Sequence, residues 1–109
     1  MVVLRFRSDK VRQTCTDLAR MRRSWGPVVA RQISRRLQQL EAMTNLADLK
    51  FLPFDSHEHD GGLIEVTITD RLSIFIERGP DMSEGDTPMY TIIVIELRAP
   101  RPRHGCHDL

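Results

Sequence analysis

The feature that most constrains this chain is a change in the spacing of its apolar residues near Gly62. Before Gly62, apolar residues recur every three or four positions, as on one face of a helix; after it, they alternate with polar residues, as on a strand. A short β-branched segment, "VVLRF" at 2–6, precedes the helical part. The 109 residues suffice for one core. This order predicts a single α+β domain, with helices on one face of a mostly antiparallel sheet.

Two amphipathic helices are expected in the first half of the chain. Ser8 or Asp9 can cap the first helix, and "WGP" predicts that this helix ends at Gly26 and that the next begins at Pro27. Such a short link predicts an antiparallel helical hairpin, and one further helical turn is expected within 44–53. The predicted apolar stripes are Val11, Cys15, Leu18, Met21 and Trp25 in the first helix and Val29, Ile33, Leu37 and Leu40 in the second.

Three strands are expected after the change of spacing. Apolar and polar residues alternate in "LIEVTIT" at 63–69 and in "LSIFIE" at 72–77, and "TDR" between them is a candidate tight turn. The third strand, "MYTIIVIEL" at 89–97, is rich in β-branched residues and has apolar residues on both faces. A strand of that kind belongs at the centre of a sheet.

The remaining segments predict loops, and the composition excludes some classes of protein. Residues 78–88 are rich in turn formers and predict a polar loop. Prolines in "RAPRPRHGCHDL" predict a flexible basic tail at 99–109 after a single domain at 1–98.

We expect no transmembrane helix and no secretory signal, because no long apolar run exists. Cys15 and Cys106 fit no metal spacing, which favours free thiols in a reducing cytoplasm.

The charges are distributed unevenly along the chain. The first fifty residues hold eleven Lys and Arg against four Asp and Glu, whereas the remaining residues hold five against eleven. The net charge of +1 therefore conceals a basic half and an acidic half. This asymmetry predicts a basic surface for a polyanion or an acidic partner. The alternative is that the two halves attract each other within the fold.

Several stretches of this chain, in this order, resemble one protein family over residues 3–98. They are "SDKVRQTC", "GPVVARQISRRLQQLEA" and "NLADLKFLP" in the helical half, then "IEVTITDRLSIFIE" and "IIVIEL" in the sheet. Together they are similar to the RelE/ParE superfamily of bacterial toxins, in its HigB-like branch. The resemblance implies a RelE-like α+β fold and a small cytoplasmic toxin of a type II toxin–antitoxin pair.

The resemblance also implies an activity and partners. Many family members are ribosome-dependent endoribonucleases that cut messenger RNA without a metal or other cofactor. The expected partners are the ribosome and messenger RNA, together with a cognate antitoxin that neutralises the toxin and can assemble with it on operator DNA. The alternative is a catalytically silent binding module on the same fold, which inhibits gyrase or regulates an operator. No membrane partner is expected.

The segment "FDSHEHDGG" at 54–62 corresponds to the active-site loop of the family, with His57 and His59 in place of the usual cations. The resemblance implies proton transfer by these histidines, because imidazole titrates near neutral pH. Two alternatives remain open, a solvated polar turn and a His-x-His metal site with nearby carboxylates.

Charge stabilisation during RNA cleavage requires cations close to the phosphate. The resemblance implies Arg71 for this role, although a turn residue paired with Asp70 or Glu77 is the alternative. Family members commonly carry an Arg at the position that Ser73 holds here. The candidate residues for binding RNA phosphates are Arg98, Arg101, Arg103 and His104, unless these belong only to a solvated tail.

Overall fold

The protein has the α+β architecture that the sequence predicts. The computed structural model describes residues 2–44, 46–52, 55–80, 82–85 and 87–99. The predicted features at Arg101, Arg103, His104 and Cys106, and nearly all of the proposed tail, lie outside these ranges. The elements are β1 (Val2–Phe6), α1 (Asp9–Thr16), α2 (Leu18–Trp25), α3 (Pro27–Glu41), a 3-10 helix (Leu46–Phe51), β2 (Ser56–Glu58), a 3-10 turn (Asp60–Gly62), β3 (Leu63–Thr69), β4 (Leu72–Arg78), β5 (Met82–Glu84) and β6 (Thr87–Arg98).

The sheet is mostly antiparallel, and β6 lies inside it. The order along the main path is β1-β6-β4-β3-β2, and β5 forms a hairpin with the start of β6. Among the strands in the described ranges, β1 alone runs parallel to its neighbour. The helices and four strands that lie between β1 and β6 in the chain provide the long connection that a parallel pair needs. The expectation of a central strand at 89–97 is therefore confirmed, and β6 extends it to Arg98.

Two segments that the sequence predicts as loops contain strands. The expected polar loop at 78–88 includes β5, and the segment at 54–62 includes β2. Each of these strands has only three residues. Three residues are too few to show the alternation by which a strand is recognised. His57 is thus part of an edge strand of the sheet, and His59 follows directly in the link to β3.

The predicted first helix is divided in two at Asp17. The Asp17 backbone is extended (φ −90°, ψ 96°), and its side chain accepts a hydrogen bond from the Arg20 N–H at 3.0 Å. The hydroxyls of Thr14 and Thr16 donate to backbone carbonyls one turn earlier. Side chains that bond locally to the backbone compete with a regular helix. The break leaves Leu18, expected in the apolar stripe, 40% exposed.

The helices cover one face of the sheet. Ile33, Leu37 and Leu40 of α3 are buried, as predicted, whereas Val29 of the predicted stripe is only partly buried and Ala30, outside that stripe, is fully buried. The buried residues of α3 belong to one cluster with alternate residues of three strands: Ile64, Val66 and Ile68 of β3, Leu72, Ile74 and Ile76 of β4, and Ile92 and Val94 of β6. Burial of each such side chain contributes about 1.5–3 kcal/mol relative to exposure. None of the helices in the described ranges is long and apolar enough to cross a membrane.

Candidate functional site

A row of paired residues crosses the sheet on the face turned away from the helices. His57 of β2 pairs with Glu65 of β3, Glu65 pairs with Phe75 of β4, and Phe75 pairs with Glu96 of β6. Their neighbours Ile64 and Ile74 lie in the helix-facing core, and successive side chains of a strand point to opposite faces. The register of four strands therefore brings this row together.

A tight connection places His59 beside this row. The His59 N–H donates to the Leu63 carbonyl at 2.7 Å, which closes the link between β2 and β3. Within this link Gly61 and Gly62 both have φ of 82°, a left-handed conformation that glycine adopts without steric cost. At the other end of β2, the Thr67 N–H donates to the Asp55 carbonyl at 3.0 Å. These hydrogen bonds hold the histidine segment against β3.

The centre of the site is the buried carboxylate of Glu65. Its side chain is 3% exposed, and its Oε1 lies 2.8 Å from Nε2 of His59. The hydroxyl of Ser73, which is fully buried, donates to Oε2 at 2.7 Å. Burial of an ionised carboxylate is costly unless donors and a cation surround it. His59 and Ser73 thus contact different oxygens of the Glu65 carboxyl group, His59 at Oε1 and Ser73 at Oε2.

This arrangement assigns different roles to the two nitrogens of His59. An ionised Glu65 can only accept in this contact, and Nε2 of His59 is then the nitrogen that carries the proton. The other nitrogen, Nδ1, is then the one that can accept a proton from a substrate. Ser73 donates to the same carboxylate and not to the histidine. It is therefore not activated as a nucleophile in the manner of a Ser-His-Asp triad.

Aromatic packing fixes the position of the two histidines. The rings of His57 and His59 meet edge to face, with centroids 4.6 Å apart. The His59 ring also stacks on Phe75, with centroids 6.4 Å apart. Phe75 is fully buried although it belongs to the sheet face opposite the core. Its ring forms an apolar floor beside His59.

Arg98 lies over the same floor. Its guanidinium carbon is 4.5 Å from the centroid of the Phe75 ring, and its Nη1 is 3.5 Å from Oε2 of Glu96. Arg98 is the last residue of β6, directly paired with Ser73. From the sequence, a place in a solvated tail was left open for Arg98, whereas the structure places this residue in the sheet. Arg98 therefore belongs to the site through its contacts with Phe75 and Glu96, and it adds a positive charge there.

Arg71 lies apart from this cluster. It is exposed in the turn between β3 and β4, where its backbone N–H donates to the Thr69 hydroxyl at 3.1 Å. Neither of the carboxylates expected as alternative partners, Asp70 or Glu77, forms an ion pair with it within the described ranges. Three other candidate residues, Arg101, Arg103 and His104, lie outside the described part of the chain.

Two residues of the site were not predicted from the sequence, Glu65 and Phe75. Both occur in strands with an alternating pattern, in which Glu65 marks a polar face. A buried carboxylate looks the same as an exposed one in a sequence, because burial depends on β2 and β4 on either side. Ser73 was noted only as a departure from the family pattern. The signal that could have identified the site is the cross-strand pairing, which requires the register.

The charges around the histidines are mostly negative. Asp55, Glu58 and Asp60 lie in or beside β2, and all three are exposed. Among the described residues, no group of three or more His, Cys, Asp or Glu side chains is arranged to hold a metal ion.

Comparisons with known proteins give no relative from which a function could be transferred. No protein-family model matches the chain, and neither a curated protein nor a solved structure matches it.

Proposed function

We propose that this protein is a toxin of a type II toxin–antitoxin pair, similar to the RelE/ParE superfamily, that cuts messenger RNA on the ribosome without a metal. One observation carries the proposal. His59 is held by the buried carboxylate of Glu65 at 2.8 Å, and a second imidazole, His57, meets it at 4.6 Å between ring centroids. Two adjacent imidazoles on a rigid sheet can supply both proton transfers of RNA cleavage.

The reaction balances without any further reactant. One imidazole removes the proton of a 2′-hydroxyl, and the 2′-oxygen attacks the adjacent phosphorus. The bond from phosphorus to the 5′-oxygen breaks, and the second imidazole gives this leaving oxygen a proton. The products are a 2′,3′-cyclic phosphate and a 5′-hydroxyl. His59 accepts the first proton at Nδ1, because its Nε2–H is bound to Glu65.

The phosphate requires positive charge during this reaction. Arg98 is the cation that packs on the floor of the site, over Phe75. Arg71 extends from the β3–β4 turn, at the end of the sheet where Ser73 and Arg98 pair. In the proposal Arg98 contacts the phosphate, and Arg71 binds the chain of the substrate further along. The cytoplasm, the ribosome and a neutralising antitoxin belong to the same proposal.

A second candidate function is favoured by the charge of the site. The histidines are close in the sequence to three exposed carboxylates, Asp55, Glu58 and Asp60. A fourth acidic residue, Glu65, is buried in the same site. Negative charge repels RNA phosphates and suits a basic protein segment. The second candidate is therefore a catalytically silent module that binds a protein target through this face, as gyrase inhibitors or operator regulators would.

Controlled expression in a bacterium separates the two candidates. The proposed toxin arrests growth and cuts translated messages, which primer extension maps to nucleotide positions. A His59→Gln variant removes the titrating group but keeps an N–H donor toward Glu65, and Gln38→Ala on the exposed side of α3 is a matched control. Growth arrest with intact messages, or with altered DNA supercoiling, favours the silent module. Normal growth with abundant soluble protein contradicts the toxin proposal.

A further inference from the structure

A groove between α2 and α3 lies on the outer side of the helices. Its volume is about 320 Å³, and it is lined by Leu18, Arg22, Pro27, Arg31 and Ser34. Leu18 and Arg22 are four residues apart on α2, and Pro27, Arg31 and Ser34 follow a similar spacing on α3. Residues at these spacings share one face of a helix. The groove is thus formed by matching faces of two packed helices.

The groove combines exposed apolar surface with positive charge. Leu18 is 40% exposed, and Val28, next to Pro27 in the chain, is 69% exposed. Arg22 and Arg31 are exposed at the groove, one on each helix, and neither forms an ion pair with another residue in the described part of the chain. Apolar residues flanked by unpaired charges of one sign are typical of a protein-binding surface.

The surroundings of the groove extend its positive charge. Further exposed arginines on the same two helices are Arg20, Arg23 and Arg35. The acidic residues of this helical region are few, since the first fifty positions hold only four Asp and Glu. A partner with carboxylates gains from this field over a distance of about 8–10 Å at ordinary ionic strength.

We infer that the α2–α3 groove binds an acidic amphipathic segment of a partner protein. An apolar side chain of this segment covers Leu18 and Pro27, and its carboxylates face Arg22 and Arg31. Within the described residues, the lining contains no aromatic ring on which a nucleobase could stack, and its apolar residues, Leu18 and Pro27, suit the side chain of a protein segment better than a base. The inference goes beyond RNA cleavage and does not depend on it, since the histidines lie on the opposite face of the sheet.

Selection from a library of random 16-residue peptides displayed on phage, with the full chain as target, tests the inference. The selected peptides are expected to carry Asp or Glu on both sides of Leu, Ile or Phe. Synthetic copies are then titrated by fluorescence anisotropy. The double variant Arg22→Glu/Arg31→Glu should weaken binding about tenfold or more. A peptide with Lys in place of its acidic residues should bind this variant better than it binds the wild type.

Arg12→Glu is the matched control, because Arg12 lies on α1 outside the groove and pairs with Asp9 at 3.2 Å. It changes the net charge in the same direction and should weaken peptide binding much less. Selected peptides without acidic residues, or equal losses in the control, overturn the inference. Displacement of the peptide by a 12-nucleotide RNA overturns it in favour of an RNA surface. Self-association that is lost in the double variant overturns it in favour of a second copy of the chain.

Discussion

Nε2 of His59 lies 2.8 Å from Oε1 of Glu65, and only 3% of the glutamate side chain is exposed. Each residue therefore depends on the other. The buried carboxyl group of Glu65 needs hydrogen-bond partners, and the contact orients the ring of His59. The same contact therefore contributes to the stability of the folded protein and orients the histidine that we propose as a catalytic base.

Replacement of His59 by alanine should destabilise the protein strongly. Removal of the hydrogen-bond partner of a buried polar group costs about 1–3 kcal/mol in free energy of unfolding, because Oε1 of the buried Glu65 loses its contact with His59. His57→Ala is the comparison, since His57 is only partly buried and should cost about 1 kcal/mol or less. Urea denaturation of both variants measures the difference. Equal and small losses for both would show that the Glu65 contact contributes little.

The contact between Arg98 and Phe75 should contribute a measurable coupling energy. The guanidinium carbon lies 4.5 Å from the ring centroid, and the Arg98 side chain is 43% exposed. Partial exposure limits the expected coupling to about 0.5–1 kcal/mol. A double-mutant cycle with Arg98→Ala and Phe75→Leu measures it. Additive losses of stability in the cycle contradict the contact.

Gly79 should not tolerate even a methyl group. A Cβ at this position would meet Cγ2 of Thr91 at 2.9 Å and Cγ1 of Ile93 at 3.2 Å. The Gly79 N–H also donates to the Thr91 carbonyl at 2.8 Å, so the backbone cannot move away freely. Gly79→Ala should cost about 1–3 kcal/mol, as overpacking does. Thermal unfolding against Gln38→Ala tests this, and an unchanged midpoint contradicts it.

Cys15 should react slowly with iodoacetamide in the folded protein. Burial raises the pKa of its thiol from 9.0 to about 11. At pH 8 the thiolate fraction then falls from ~10% to ~0.1%, so alkylation should be roughly 100-fold slower than in the unfolded chain. Mass spectrometry in a Cys106→Ser background follows this thiol alone. Equal alkylation rates with and without 8 M urea would show that the thiol is not buried.

The sequence was sufficient to predict the fold class and most of the elements, but not the site. The helical spacing that includes Ile33 and Leu37, and the alternation in β3 and β4, predict elements that the structure confirms, because both patterns follow from burial of one face. The partnership of His59 with Glu65 was not predictable in this way. It depends on pairing between an edge strand of three residues and β3, and only the three-dimensional register determines that pairing.

The break of the first helix at Asp17 was partly predictable from the sequence. Asp is a preferred residue at the start of a helix, so its sequence "TCTD" contained the signal for a new helix. The apolar spacing continues across this position, however, and it predicted one uninterrupted helix. The local hydrogen bonds of Thr16 and Asp17 outweigh the apolar pattern there, and Leu18 remains partly exposed as a result.

Cleavage of a defined message on purified translating ribosomes tests the central claim most directly. Single-turnover rates are compared for the wild type and for His59→Gln, with circular dichroism to verify that both are folded. Loss of general acid–base catalysis should lower the rate about 10²–10⁴-fold, with the positions of cleavage unchanged where residual cutting is detected. A folded His59→Gln protein that cuts at the wild-type rate would contradict the role of His59 in proton transfer.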